Sequence, residues 1–191
     1  MFRKICVSLV NGFLHCIFRV KFVGRENVPC DVGAILAVNH RSNWDVLFAG
    51  SACPRPLSFM AKSELFKNPV FGWLIKNLGA FPIKRGKGDI GAIKAALGIL
   101  KDKNIMLIFP EGKRSDGTLE HAKPGVALIA SMAKVPIIPT YISGEYKFMH
   151  KITVTFGKSY YLNESSDKRL SQEELQTAAD DVLKKIRTLK S

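Results

Sequence analysis

Val32-Gly-Ala-Ile-Leu-Ala-Val-Asn39, then His40-Arg-Ser-Asn-Trp-Asp45, then Val46-Leu-Phe-Ala-Gly-Ser-Ala52 is the stretch on which the fold turns. Its first eight residues are a short, nearly continuous apolar run ending in polar residues, the pattern of a buried strand. Trp44–Ala52 reads as a short helix stopped by Pro54. A buried strand that passes through a polar loop into a helix is the repeating unit of a helix-covered parallel sheet.

The alternation runs on through the chain. Leu57–Ala61 reads as a strand, Val70–Leu78 as an apolar helix ending at Gly79, and Ala80–Ile83 as a further strand. Ile90, Ile93, Leu97 and Leu100 mark one face of a helix over residues 88–102. Ile105–Phe109, Ile137–Ile142 and Ile152–Phe156 have strand character, and Gly125–Ala133 is helical. Ser171-Gln-Glu-Glu174 is a capping box, behind which Leu175, Ala179, Val182, Ile186 and Leu189 keep helical spacing. The expected architecture is α/β, a mixed, mostly parallel sheet flanked by helices, with an N-terminal amphipathic membrane-associating helix. Residues 1–24 form the expected appendage and 25–191 the expected domain.

Composition narrows the functions. A chain of 191 residues buries about 70% of its extended surface on folding, so its core needs no disulfide or metal staple. With 47% apolar and 24% charged residues it is neither a disordered chain nor a multi-span membrane protein. Lys and Arg number 29 against 16 Asp and Glu, a net charge of +13 carried entirely by the first 162 residues. Such a surface prefers anionic partners: anionic lipid, phosphorylated substrates or nucleic acid. Cys6, Cys16, Cys30 and Cys53 have no metal-binding spacing, and reduced thiols are expected.

Ile5 to Phe18 lacks Lys, Arg, Asp and Glu, but it is too short for a bilayer span of about 20 apolar residues. Arg19 and Lys21 stand where a signal-peptide cleavage site needs small residues. Phe2, Ile5, Cys6, Leu9, Val10, Phe13, Leu14 and Ile17 recur instead at helical steps, with Arg3, Lys4, Asn11 and Arg19 on much of the remaining surface. Two uses fit this pattern. The helix lies in a lipid interface through Phe2, Leu9 and Phe13, or it packs on its own domain. Val7 and Phe18, off the main face, tilt the reading toward lipid. A second stretch, Leu65–Lys76, mixes Phe66, Phe71 and Trp73 with lysines, and reads either as another membrane contact or as a core helix.

In α/β folds chemistry gathers where strands end. There, His40 is followed five residues later by Asp45. Neutral imidazole can take a proton from a hydroxyl as it attacks a carbonyl, and a carboxylate on the other ring nitrogen fixes the tautomer. On one continuous helix the two side chains would stand about 140° apart, so they meet only with His40 on the loop and Asp45 in the first helical turn. The same residues also fit a cap, because Ser42-x-x-Asp45 precedes an apolar run.

His40-Arg-Ser-Asn-Trp-Asp45 resembles the HxxxxD motif of the glycerolipid acyltransferase family. Three further blocks follow in that family's order: Gly79-Ala-Phe-Pro-Ile-Lys-Arg85-Gly86, Phe109-Pro-Glu-Gly-Lys-Arg-Ser115 and Val135-Pro-Ile-Ile-Pro139. The chain departs from the family in Lys84, where an acidic residue is common, and in Lys113, where Thr is usual. Both changes add positive charge beside the presumed phosphate site.

The resemblance implies an enzyme in which His40 is the general base and Asp45 orients it, with no acyl-enzyme intermediate. It implies phosphate binding by Lys84, Arg85, Glu111, Gly112, Lys113 and Arg114. Glu111 cannot meet a phosphate directly, so its expected task is to hold a basic side chain or a glycerol hydroxyl. Arg suits phosphate through its two parallel donors. The fourth block reads as a core strand or as part of an acyl-chain path. The implied reaction moves a fatty acyl group from acyl-CoA or acyl-carrier protein to the sn-2 hydroxyl of lysophosphatidic acid, giving phosphatidic acid. No metal or bound cofactor is implied, and the expected location is peripheral, on the cytoplasmic face of the cell membrane, against anionic lipid. The same chemistry on glycerol-3-phosphate or another lysolipid is the first alternative. A non-catalytic basic domain for lipid or nucleic acid is the second, although nucleic acid is not the expected partner.

Overall fold

The computed structural model describes residues 2–83, 90–115, 121–162 and 170–190. Their order is α1 (Phe2–Ile17), β1 (Arg19–Val23), β2 (Ala34–Val38), α2 (Trp44–Ala52), β3 (Leu57–Lys62), α3 (Pro69–Asn77), β4 (Ala80–Ile83), α4 (Ile90–Lys101), β5 (Ile105–Ile108), α5 (Gly125–Ala133), β6 (Ile137–Ser143), β7 (Lys151–Phe156) and α6 (Gln172–Thr188). The seven strands form one sheet in the order β1-β7-β6-β2-β5-β3-β4. Every neighbouring pair is parallel except β6 and β7. The expected mixed, mostly parallel sheet is therefore the observed one.

β2 lies at the centre, paired with β5 and β6, and all five of its residues are buried. Its continuous apolar run has a simple cause: successive side chains enter different cores. Ala34, Leu36 and Val38 join Leu14, Phe18 and Phe48 of the α1–α2 layer, while Ile35 and Ala37 join Ala96, Val126, Val182 and Ile186 of the α4–α5–α6 layer. A polar residue at any of these five positions would be sealed from water.

α6 forms as its sequence predicts. Ser171 Oγ accepts the Glu174 N–H at 3.2 Å and Glu174 Oε2 accepts the Ser171 N–H at 2.7 Å, so two end amides are satisfied reciprocally. Leu175, Ala179, Val182, Leu183 and Ile186 then bury one face.

The first 24 residues differ from the helix expected there. α1 stops at Ile17, and Arg19–Val23 is a strand in parallel register with Lys151–Thr155. β1 is an edge strand whose Arg19, Lys21 and Val23 stay exposed, so it lacks the apolar run that marks the central strands. Phe18, expected to lean toward lipid, is buried against Trp44 and Phe48 at centroid distances of 5.6 and 5.4 Å.

Candidate active site

β2 delivers the site. Just past its end, Asn39 continues the ladder with its side chain: Nδ2 donates to the Ile142 carbonyl at 3.1 Å, and Oδ1 accepts the Ile142 N–H at 2.7 Å. His40 follows on the loop, held at both ends of its peptide. Its N–H donates to Glu111 Oε2 at 2.7 Å, and its carbonyl accepts the Ser115 N–H at 2.8 Å. The imidazole lies flat on Phe109, with centroids 3.9 Å apart and planes 17° apart. The residues after β5 thus fix the histidine's backbone and support its ring.

Asp45 sits in the first turn of α2 and is fully buried. His40 Nδ1 is 3.0 Å from its Oδ2, the arrangement required for a histidine on the loop and an aspartate on the helix. The same oxygen accepts the N–H groups of Arg41 at 2.6 Å and Ser42 at 2.7 Å. Oδ1 accepts the hydroxyl of Tyr146. A carboxylate only accepts, so Nδ1 carries the imidazole proton and Nε2 keeps a lone pair. Capping and orienting were alternatives in the sequence; here one carboxylate closes the loop and holds the ring.

Glu111 is buried, 4% exposed. Burial pushes its pKa up, opposed by the hydrogen bonds from the His40 N–H and Ser115. Its carboxylate accepts a backbone N–H of the motif, a contact the sequence did not suggest beside the basic side chain or glycerol hydroxyl expected there. Gly112 turns the chain at φ 69°, and a Cβ there would press on the side chain of Lys123. Lys113 and Arg114 are exposed and immediately precede Ser115, whose N–H reaches His40. Lys84 and Arg85 lie outside the described residues. His40, Asp45 and Glu111 are thus in direct contact through hydrogen bonds, with the basic pair of the third block two residues further along.

Tyr146 and the side chain of Arg41 are the residues sequence reasoning missed. Arg41 Nη2 donates to the carbonyls of Ile142 at 3.1 Å and Gly144 at 2.9 Å, and its guanidinium lies 5.4 Å from the Tyr146 ring centre. Tyr146 is 101 positions from Asp45 in a β6–β7 loop that no motif marks.

The expected membrane contacts divide. Phe2, Ile5, Leu9 and Phe13 form an outward apolar ridge on α1, with Leu9 69% exposed, whereas Leu14 is buried and Val10 and Ile17 pack inward. Phe71 and Trp73 on α3 are also exposed, and Trp73 lies 5.1 Å from the Phe2 ring, which makes the two patches neighbours. Phe66 is half-buried and packs against Ala61, Ile75 and Ala80. Residues 135–139 supply Val135, Ile137 and Ile138 to the buried cores, and from Ile137 onward this fourth block is the start of β6. No described helix is long and apolar enough to cross a membrane. A cavity of about 440 Å³ lies between α1, α2 and β3, lined in part by Val7, Val10, Leu47 and Leu57, and neither His40 nor Asp45 reaches it. Among the described residues no three His, Cys, Asp or Glu gather as a metal site.

Residues 19–143 match the family pattern described as Acyltransferase. The chain is 36% identical to a 1-acyl-sn-glycerol-3-phosphate acyltransferase of Streptococcus pneumoniae, over 91% of this chain and 64% of that protein. It is 34% identical to the protein of the same name from Bacillus subtilis, over 74% of this chain and 71% of that one. It thus spans about two thirds of the length of these curated relatives. The crystal structure of the 1-acyl-sn-glycerophosphate (LPA) acyltransferase PlsC from Thermotoga maritima superposes with a TM-score of 0.71 at 26% identity, covering 99% of this chain and 82% of that one.

Proposed function

The chain belongs to the acyltransferase family, and from that membership we propose that it acylates the sn-2 hydroxyl of lysophosphatidic acid to give phosphatidic acid. The donor is a thioester, acyl-CoA or acyl-carrier protein. The observation that carries this reading is the Nδ1–Asp45 hydrogen bond, which leaves the Nε2 lone pair as the base. His40 Nε2 takes the hydroxyl proton as the oxygen attacks the thioester carbonyl. The tetrahedral adduct collapses, the carbon–sulfur bond breaks, and the imidazolium returns the proton to the leaving thiolate. Asp45 stabilises the transient imidazolium and holds the ring, so transfer is direct and no acyl-enzyme forms.

Lys113 and Arg114, joined by Lys84 and Arg85, are assigned to the acceptor's phosphate, where the arginine fork suits two oxygens at once. Glu111 and Phe109 set the height and tilt of the imidazole through contacts already described. The α1 ridge and the α3 patch are assigned to the lipid surface, with the protein peripheral on the cytoplasmic face of the cell membrane. Basic residues near an anionic surface contribute about 1 kcal/mol each, and the apolar ridge adds burial in the interface.

The test is turnover by the purified protein with lysophosphatidic acid and each thioester in turn, the product identified by mass. Formation of phosphatidic acid supports the reading. Product only with glycerol-3-phosphate or another lysolipid transfers the mechanism to that acceptor, and no product with any thioester ends it.

A further inference from the structure

We propose that Tyr146 is a positioning residue of the transfer site: its hydroxyl, given to Oδ1 of Asp45, fixes the carboxylate that orients His40. The proposal deepens the general-base reading and rests on it. A fully buried carboxylate must have its oxygens occupied by donors. The loop amides and the imidazole occupy Oδ2, and Tyr146 occupies Oδ1. Without the hydroxyl, Oδ1 has no donor of its own among these contacts, and the carboxylate can rock about its remaining bonds.

The tyrosine is itself held in place. Its ring stacks on Phe48 with centroids 5.8 Å apart, and Arg41 lies over the ring. Arg41 also ties down the carbonyls of Ile142 and Gly144 just upstream. Gly144 turns the loop at φ 107°, where a Cβ would strike the Lys151 carbonyl. Downstream, the Met149 N–H donates to the Ile17 carbonyl at the end of α1 at 2.7 Å. The loop is therefore braced at both ends with the hydroxyl aimed at Asp45. Asp45 and Arg41 are the charged groups facing it, while Glu145 and Lys147 pair with each other at 2.8 Å on the surface. Burial and then the neighbouring Asp45 charge push the phenol's pKa up, so the hydroxyl keeps its proton and acts as a donor.

A donor on Oδ1 draws charge from the carboxylate and so limits how strongly Asp45 stabilises the imidazolium. Removing it leaves more charge on the carboxylate, which favours a protonated partner, but it also frees the carboxylate to turn, so the ring is no longer held in line for attack and the rate falls. Tyr146→Phe keeps the ring and deletes only the oxygen. The expected result is a kcat lower by about ten- to a hundredfold, as for loss of a hydrogen bond to a charged group. KM for both substrates should stay within about twofold, and the acid limb of kcat/KM against pH should move upward. Site-specific 3-fluorotyrosine at position 146, a stronger donor, should move that limb downward. Wild-type kcat with an unmoved limb, a loss confined to KM, or a lowered melting temperature alone overturns the proposal. His40→Ala in the same assay separates the two readings: activity surviving there removes the general base itself, whereas wild-type kcat in Tyr146→Phe beside a dead His40→Ala removes only the tyrosine.

Discussion

His40, the proposed general base, has three supports: a carboxylate on Nδ1, an aromatic floor, and hydrogen bonds from its own N–H and to its own carbonyl. Truncation to alanine should lower kcat by about 10²–10⁴-fold, the range for loss of a general base, while vesicle binding is retained. Asp45→Asn tests more than a cap. A cap lost from a helix costs about 1 kcal/mol and leaves rates alone, whereas this carboxylate accepts from four donors, so rate should fall by orders of magnitude together with melting temperature. Normal turnover with a lower melting point would return Asp45 to a structural role. Glu111 carries a pH prediction. Its pKa is raised in the folded protein, first by burial, so the folded state holds its proton more tightly than the unfolded chain. The resulting stability is present below the ordinary glutamate pKa and is lost as pH rises through the raised value. Melting curves of wild type and Glu111→Gln, compared from pH 4 to pH 8, should show the wild type losing stability relative to the glutamine variant as pH rises. A constant difference would show that Glu111 titrates alike in both states.

Among elements, those whose apolar spacing is strong were legible in the sequence: the predicted spans of α2, α5 and β4 coincide with the observed ones, and both halves of the α6 capping box are made. Ser171→Ala should therefore cost about 1 kcal/mol by thermal or denaturant unfolding, and no change would mean that packing alone holds the helix end. β1 was not legible, because an edge strand with alternating charged residues gains its stability from pairing with β7, far away in sequence. Tyr146 was hidden for a related reason: a hydrogen bond across 101 positions leaves no local spacing to read. In α1 the sequence conveyed the helix but not its two apolar faces. Leu14 faces the core, and Leu9 faces out. Only a variant of the outer face tests membrane binding, since deleting the helix also strips the core of Leu14. Replacing Ile5, Leu9 and Phe13 together by glutamine should weaken vesicle sedimentation while leaving the melting temperature within a few degrees, because all three are more than half exposed. Unchanged sedimentation would make α1 an ordinary surface helix.

At the scale of the whole molecule, the proposed attachment to a bilayer draws on two forces that respond differently to salt. One is the net charge of +13, which acts over roughly a Debye length, about 10 Å at 0.1 M salt and 3 Å at 1 M. The other is the outward apolar surface of α1 and α3, joined through Phe2 and Trp73, which salt does not screen. Sheet topology brings these patches together, since α1 and α3 are separated in sequence by the three strands β1, β2 and β3 and the α2 helix. Binding to anionic vesicles should therefore fall steeply between 0.05 and 0.5 M salt and then level off above zero. Neutral vesicles should give the plateau without the fall, and the α1 triple-glutamine variant should give the fall with a lower plateau. A salt dependence that reaches zero binding in the native chain would assign adhesion to charge alone. Equal, salt-sensitive binding to duplex DNA would instead favour a general polyanion surface over a lipid one.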